Sequence, residues 1–176
     1  AMELILEVSD DSPGVLKIFS KTLSDLAEGE MLQLQKAQQG DTDVNDYLRI
    51  IYSKTASLFE AACVSAAISV GASETMFKAA VDYARALGIA FQIKDDILDY
   101  VGTDAVGKPL GADILEQKIT MPQLGALSSA DPTKAEEVRK MVSDIPSHPE
   151  YRDTILTFVR ENGGLSYAVS QLDRYV

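Results

Sequence analysis

Cysteine is nearly missing: Cys63 is the single one in 176 residues, so no disulfide can form within the chain. It sits among alanines, where it reads as a small core residue, and this usage fits a reducing, cytoplasmic setting. Tryptophan does not occur, and the one histidine, His148, stands before a proline at an expected helix start. With so few soft or imidazole ligands, zinc and copper are poor candidates for any metal site. No apolar run reaches the roughly 20 residues of a membrane span, so the chain is read as soluble and not membrane-spanning. Positive charge is the minority: 16 Lys and Arg against 27 Asp and Glu leave −11. That balance argues against nucleic acid or anionic lipid as a main partner. It would also repel an anionic substrate, unless a divalent metal and local lysines reverse the sign at the site. There is no two-residue alternation of a strand, no repeat and no low-complexity segment.

What remains is helical. Hydrophobic residues make up 46%, enough for one all-α domain with a real core over residues 1–176. Ser12-Pro13 reads as an N-cap followed by a first-turn proline, and Leu16, Phe19, Leu23 and Leu26 form an apolar stripe behind it. Gly40 to Asp43 reads as a turn and cap. A second helix is expected over 44–70, with Tyr47, Ile50, Ile51, Leu58 and Ala62 on its buried side and Lys54 among them. Gly71 ends it and Ser73 caps the next. The third helix, 74–101, is long; Ile89, Ile93 and Ile97 mark one packed face, and Gly88 leaves room for close approach. Shorter helices follow at 120–127, from Asp131-Pro132 to about 142, from His148-Pro149 to about 163, and over the last fifteen or so residues.

Three consecutive helices show one anomaly, an apolar stripe interrupted by polar groups. These are Glu30 and Gln33, then Lys54 and Thr55, then Gln92 with Asp95, Asp96 and Asp99. Each alone can be a solvated helix end or an internal salt bridge. Together they suggest groups that meet each other or a ligand, because unpaired buried charge is costly. Asp95 and Asp99 are one turn apart on one helix face, and Gly102 is expected to end that helix just beyond them. Acids at a helix C-terminus oppose the dipole by about 0.3–1 kcal/mol each, which points to a bound cation. Carboxylates without His or Cys suit magnesium, which takes one or two of them together with substrate phosphates. Lys108 and Lys118 bracket Gly111 and Asp113 downstream, placing positive charge beside the acids. Acids for a metal next to lysines for phosphate is what a magnesium diphosphate requires.

These residues, taken together, resemble the trans-isoprenyl (polyprenyl) diphosphate synthases. The second aspartate-rich motif of that family reads here as Gly88, Phe91, Gln92, Asp95, Asp96 and Asp99. It is followed by Gly107, Lys108, Gly111, Asp113 and Lys118. The family's Lys-Thr pair is Lys54-Thr55, and its Gly-Glu-x-x-Gln element is Gly29, Glu30 and Gln33. Gln117 stands where bacterial members often have glycine. Family members are considerably longer, with a first aspartate-rich motif and a basic element before this region. The chain is therefore expected to be a C-terminal half, inactive alone. Asp10-Asp11 reads as a capping turn.

The resemblance implies the C-terminal part of the isoprenoid synthase helical fold and head-to-tail prenyl transfer, joining an allylic diphosphate to isopentenyl diphosphate. It implies Mg²⁺ as cofactor on Asp95, Asp96 and Asp99, with Asp96 in support. Lys54, Lys108 and Lys118 would neutralise the departing diphosphate, while Thr55 and Gln92 orient its end and shield the allylic cation. No protein nucleophile is needed. An open apolar face is expected, covered by a homo-oligomer or by a missing N-terminal half. The alternatives are a non-catalytic partner subunit of a full-length synthase and a fragment of a class I terpene cyclase. The cyclase is disfavoured because its downstream Asn/Asp-x-x-Ser/Thr-x-x-x-Glu motif is not found.

Overall fold

A computed structural model describes residues 13–101 and 110–176. Among them the elements are α1 (Pro13–Gln39), α2 (Val44–Ile51), a π-helical turn (Tyr52–Ala56), α3 (Ser57–Ser69) and α4 (Glu74–Val101). After these come α5 (Ala112–Leu115), α6 (Met121–Ser129), α7 (Pro132–Asp144), α8 (Tyr151–Glu161) and α9 (Gly164–Leu172). No strand occurs among the described residues. The expected capping at Ser12, the pair Asp10-Asp11 and the helix stop at Gly102 lie outside them, as do Gly107 and Lys108.

Local signals account for most boundaries. Asp43 caps α2 with a reciprocal box: its carboxylate accepts the Asp46 N–H at 2.8 Å, and the Asp46 carboxylate accepts the Asp43 N–H at 3.3 Å. Such caps contribute about 1 kcal/mol. Gly40 and Gly71 take positive φ where helices α1 and α3 stop, and Asp131 caps α7 ahead of Pro132.

The core gathers around α6, a short helix buried on every side from Met121 to Leu127. Ile93, Ile97 and Tyr100 of α4, Val138 and Val142 of α7, and Ile155 and Val159 of α8 close around it. Against this block α4 extends outward and packs on α3 and the π-turn, with α1 on their other side. Arg85 of α4 grips Glu60 of α3 through Nε at 2.6 Å and its second nitrogen at 3.1 Å.

Two expectations about buried faces are corrected. Leu58 is 49% exposed and Ala62 is also exposed, while Ser57 and Val64 are buried. The cause is the π-turn, which inserts one extra residue between α2 and α3. Each residue advances an α-helix by about 100°, so every later side chain is turned off the stripe that α2 sets up. In α1 the buried positions are Thr22 and Gly29; Leu23 is 43% exposed, and Leu16, Phe19 and Leu26 are only half-buried. Met31 and Leu34 of α1, and Met76, Phe77, Tyr83, Leu87 and Phe91 of α4, are exposed as well.

Candidate active site

The π-turn carries the Lys54-Thr55 pair, and two glycines hold it from opposite sides. A Cβ on Gly29 of α1 would come within 2.7 Å of Ser53 Cβ, and one on Gly88 of α4 within 2.5 Å of the Ala56 Cα. Only residues without a side chain let both helices approach this closely. The widened turn then presents Lys54 toward α1 and Thr55 toward α4.

Lys54 Nζ lies 2.7 Å from the Glu30 carboxylate and donates to Gln33 Oε1 at 2.9 Å. On the other side the Thr55 hydroxyl donates to Gln92 Oε1 at 2.8 Å, and Gln92 Nε2 donates to Asp96 Oδ1 at 2.9 Å. The second oxygen of Asp96 accepts the Tyr47 phenol at 2.6 Å. Thus the three interrupted stripes of the sequence do converge: Glu30 and Gln33 meet Lys54, and Thr55 meets Gln92.

Asp96 is 3% exposed. Burial pushes its pKa up to about 7, with Asp113 and Asp95 adding repulsion, while the donors Tyr47 and Gln92 pull the other way. Burial also raises the Tyr47 phenol, reinforced by the Asp96 charge, so it stays a donor throughout the neutral range.

The three aspartates point to different places. Asp96 faces inward. Asp95 is exposed. Asp99 is half-buried, and its two oxygens accept the backbone N–H groups of Ala112 and Asp113 at 3.0 and 3.2 Å, tying the end of α4 to α5. This brings Asp113 and Lys118 to the same opening. Lys118 is half-buried, 3.1 Å from Asp113 and 2.6 Å from Glu116. Burial works against its charge, but Glu116 and Asp113 more than offset that and raise its pKa.

Between these groups lies a cavity of about 170 Å³. Lys54, Thr55, Gln92, Asp96, Asp113 and Lys118 line it, with Tyr47, Gln117 and Thr120 among the remaining walls. The wall is mixed in charge and rich in neutral donors and acceptors. Of the expected site residues, Lys54, Thr55, Gln92, Asp96 and Lys118 therefore share one space; Asp95 and Asp99 are not in its lining, and Lys108 lies outside the described residues. His148 is occupied elsewhere, bonded to Glu150 at 2.9 Å and stacked on Tyr151.

Sequence reasoning missed three participants. Tyr47 counts only as a buried stripe position, although a tyrosine in an apolar stripe needs a partner for its hydroxyl, which is a usable signal. Thr120 lines the cavity and is 5% exposed, and its hydroxyl makes no hydrogen bond of ordinary geometry among the described residues. Gln117 takes φ +58, the left-handed region that favours glycine, and its side chain donates to the Ser143 carbonyl at 2.9 Å. That conformation is the physical reason glycine suits this position.

Comparisons with known proteins show the family. The model of the polyprenyl synthetase family matches residues 1–159. The chain is 38% identical over 172 residues to an octaprenyl diphosphate synthase of Haemophilus influenzae, covering 97% of this chain and 51% of that protein. A decaprenyl diphosphate synthase structure from Rhodobacter capsulatus superposes with a TM-score of 0.82 at 34% identity, covering 97% of this chain and 53% of that one. A polyprenyl synthase from Caulobacter crescentus, solved with calcium and isoprenyl diphosphate, gives 0.84 at 32% identity, over 98% and 52%. The chain belongs to the polyprenyl synthetase family and has its all-α isoprenoid synthase fold. It spans about half the length of the curated relatives it matches.

Proposed function

We propose that this chain carries the second-aspartate half of a prenyl-transfer site, for head-to-tail condensation of an allylic diphosphate with isopentenyl diphosphate. The observation that carries the reading is the cavity where Lys54, Thr55, Gln92, Asp96 and Lys118 meet. It is supported by the relatives' names, and by the Caulobacter relative that holds calcium and an isoprenyl diphosphate.

The donor set fits magnesium in kind. Carboxylate, hydroxyl and amide oxygens surround the cavity, and neither His nor Cys lines it. No group of three or more His, Cys, Asp or Glu among the described residues is placed to hold a metal unaided. Magnesium takes one or two carboxylates and is completed by water and substrate phosphates. Of the acids, Asp96 and Asp113 line the cavity; Asp95 and Asp99, proposed from the resemblance to hold the ion with Asp96 in support, lie outside that lining and would have to turn toward it. When bound, the ion would neutralise charge on the diphosphate.

The chain's own groups divide the remaining work. Lys54 and Lys118, joined by Lys108, compensate the charge that builds on the diphosphate as the allylic C1–O bond breaks; such stabilisation lowers the barrier directly. Lys54 is held by Glu30 and Gln33, so an arriving diphosphate competes with that pair for its ammonium. Thr55 and Gln92 orient the diphosphate end and shield the allylic cation from water. The double bond of isopentenyl diphosphate attacks that cation, and the proton lost afterwards goes to the departed diphosphate, so no protein nucleophile is required.

The exposed apolar side chains of α1 and α4 favour a working unit larger than this chain. A homo-oligomer and the residues that the relatives carry beyond the matched half are the candidates. A second reading, a partner subunit, is favoured by two relatives named "Heptaprenyl diphosphate synthase component 2": that of Geobacillus stearothermophilus is 30% identical over 168 residues and that of Bacillus subtilis 34% over 130. One mixing experiment separates the two. Co-expression with the N-terminal half of the Haemophilus relative is expected to give prenyl transfer from geranyl and isopentenyl diphosphates, abolished by Lys54→Ala. A purified assembly without transfer would overturn the catalytic reading. An altered product length on adding the chain to a full-length synthase would favour the subunit.

A further inference from the structure

Tyr47 has a hydroxyl that nothing in the prenyl-transfer reading uses, yet it is 3% exposed and makes a 2.6 Å hydrogen bond to Asp96 across the fold from α2 to α4. We propose that Tyr47 is a positioning residue: through the Asp96 carboxylate it sets which way the Gln92 amide points, and thereby how the Thr55 hydroxyl is turned in the cavity. The purpose assigned to it rests on the reading of Thr55 and Gln92 as substrate-facing; the linkage itself rests on geometry alone.

The two ends of a glutamine amide have nearly the same shape, so packing cannot choose between them. The hydrogen-bond chain can. In its ionised form, which the donors Tyr47 and Gln92 both favour against burial, the Asp96 carboxylate only accepts. Asp96 takes the phenol on one oxygen, and its other oxygen therefore calls for the NH₂ of Gln92 at 2.9 Å. That leaves Gln92 Oε1 facing Thr55, whose hydroxyl proton is drawn onto it at 2.8 Å. Four side chains from α2, the π-turn and α4 thus take one consistent sense, starting from the phenol. With phenylalanine at position 47, one buried oxygen of Asp96 would lose its donor; the carboxylate could rotate and the amide reverse. Such buried networks act as units, and their members are not separable one by one.

The test uses the whole chain, labelled with ¹⁵N, with magnesium and inorganic pyrophosphate as the probe. Tyr47→Phe is expected to speed solvent exchange of the Gln92 side-chain amide protons about tenfold or more, while the backbone amides of Ile93 and Tyr100 stay protected. In NMR titrations Tyr47→Phe and Gln92→Ala are each expected to weaken pyrophosphate binding about tenfold, and the double variant no further than Gln92→Ala alone. Equal losses in both backgrounds, or a Gln92 amide unchanged by Tyr47→Phe, would overturn the proposal. If the wild-type chain gives no pyrophosphate response, the prenyl-transfer reading fails, and the amide exchange alone decides the role of Tyr47. If Tyr47→Phe does not fold, Asp96→Asn serves instead. Its oxygen can accept from Tyr47 while its NH₂ donates to Gln92 Oε1, which turns the Gln92 NH₂ onto the Thr55 hydroxyl oxygen; Gln92 side-chain amide resonances unshifted by Asp96→Asn would refute the linkage.

Discussion

Gly88→Ala is the sharpest test of how the site is held together. On helix propensity alone the change would stabilise α4 by about 1 kcal/mol. Against this, the new methyl would lie 2.5 Å from the Ala56 Cα and 2.8 Å from its Cβ. These atoms belong to the π-turn backbone and to a side chain with no rotamers, so neither can swing aside and α4 must move as a unit. Overpacking of this sort costs about 1–3 kcal/mol, and against rigid atoms the upper part of that range applies. The net expectation is a loss of about 1–2 kcal/mol, which for a chain of this size lowers Tm by roughly 2–8 °C. The displacement also separates Thr55 from Gln92, so pyrophosphate binding should fall with stability. Gly14→Ala is the matched control: among the described residues its methyl would meet only the Ile68 side chain, at 3.3 Å from Cδ1, and little or no loss is expected. Thermal unfolding followed by circular dichroism reads both. A Gly88→Ala protein as stable as wild type would refute the packing argument for the π-turn.

Two further outcomes follow from single positions. Gln117→Ala keeps the left-handed φ and loses the bond to Ser143, so it should cost about 1 kcal/mol, whereas Gln117→Gly should recover most of that by removing the strain; urea unfolding gives the order, and an alanine variant at least as stable as the glycine one contradicts it. Glu60 has its pKa lowered: burial opposes this, but the hydrogen bonds from Arg85 and Tyr52 prevail. Its pairing therefore stabilises the fold above the ordinary carboxylate range and is lost as pH falls through the lowered value. Glu60→Gln should flatten the decline in stability below about pH 4.5, by under about 1 kcal/mol given the half-exposed Arg85. An unchanged acid profile would show that the pair contributes nothing.

Much of the architecture was legible in the residues. The start of α4, the capping at Asp43, the stops at Gly40 and Gly71 and the Asp131-Pro132 start all rest on local chemistry, which does not depend on tertiary context. The grouping of Glu30 and Gln33 with Lys54, and of Thr55 with Gln92, was legible because charge inside an apolar stripe requires a partner. The faces of α3 were not: periodicity assumes 3.6 residues per turn, and nothing local in YSKTA announces the wider turn that moves Leu58 outward. The stripe on α1 misled for a different reason. Leu23 is apolar yet 43% exposed, so hydrophobicity alone did not identify the buried side. The division among the aspartates was also hidden, because one-turn spacing places Asp95 and Asp99 on a face but does not reveal that Asp99 caps α5 or that Tyr47 reaches Asp96.

The most direct measurement is an NMR titration of the ¹⁵N-labelled chain with magnesium pyrophosphate. The expected result is a saturable response at Lys54, Thr55, Gln92, Asp113 and Lys118 that vanishes in Lys54→Ala and is lost when magnesium is chelated. No response at those residues, or the same response with Lys54 replaced, would contradict the assignment of this cavity to a diphosphate.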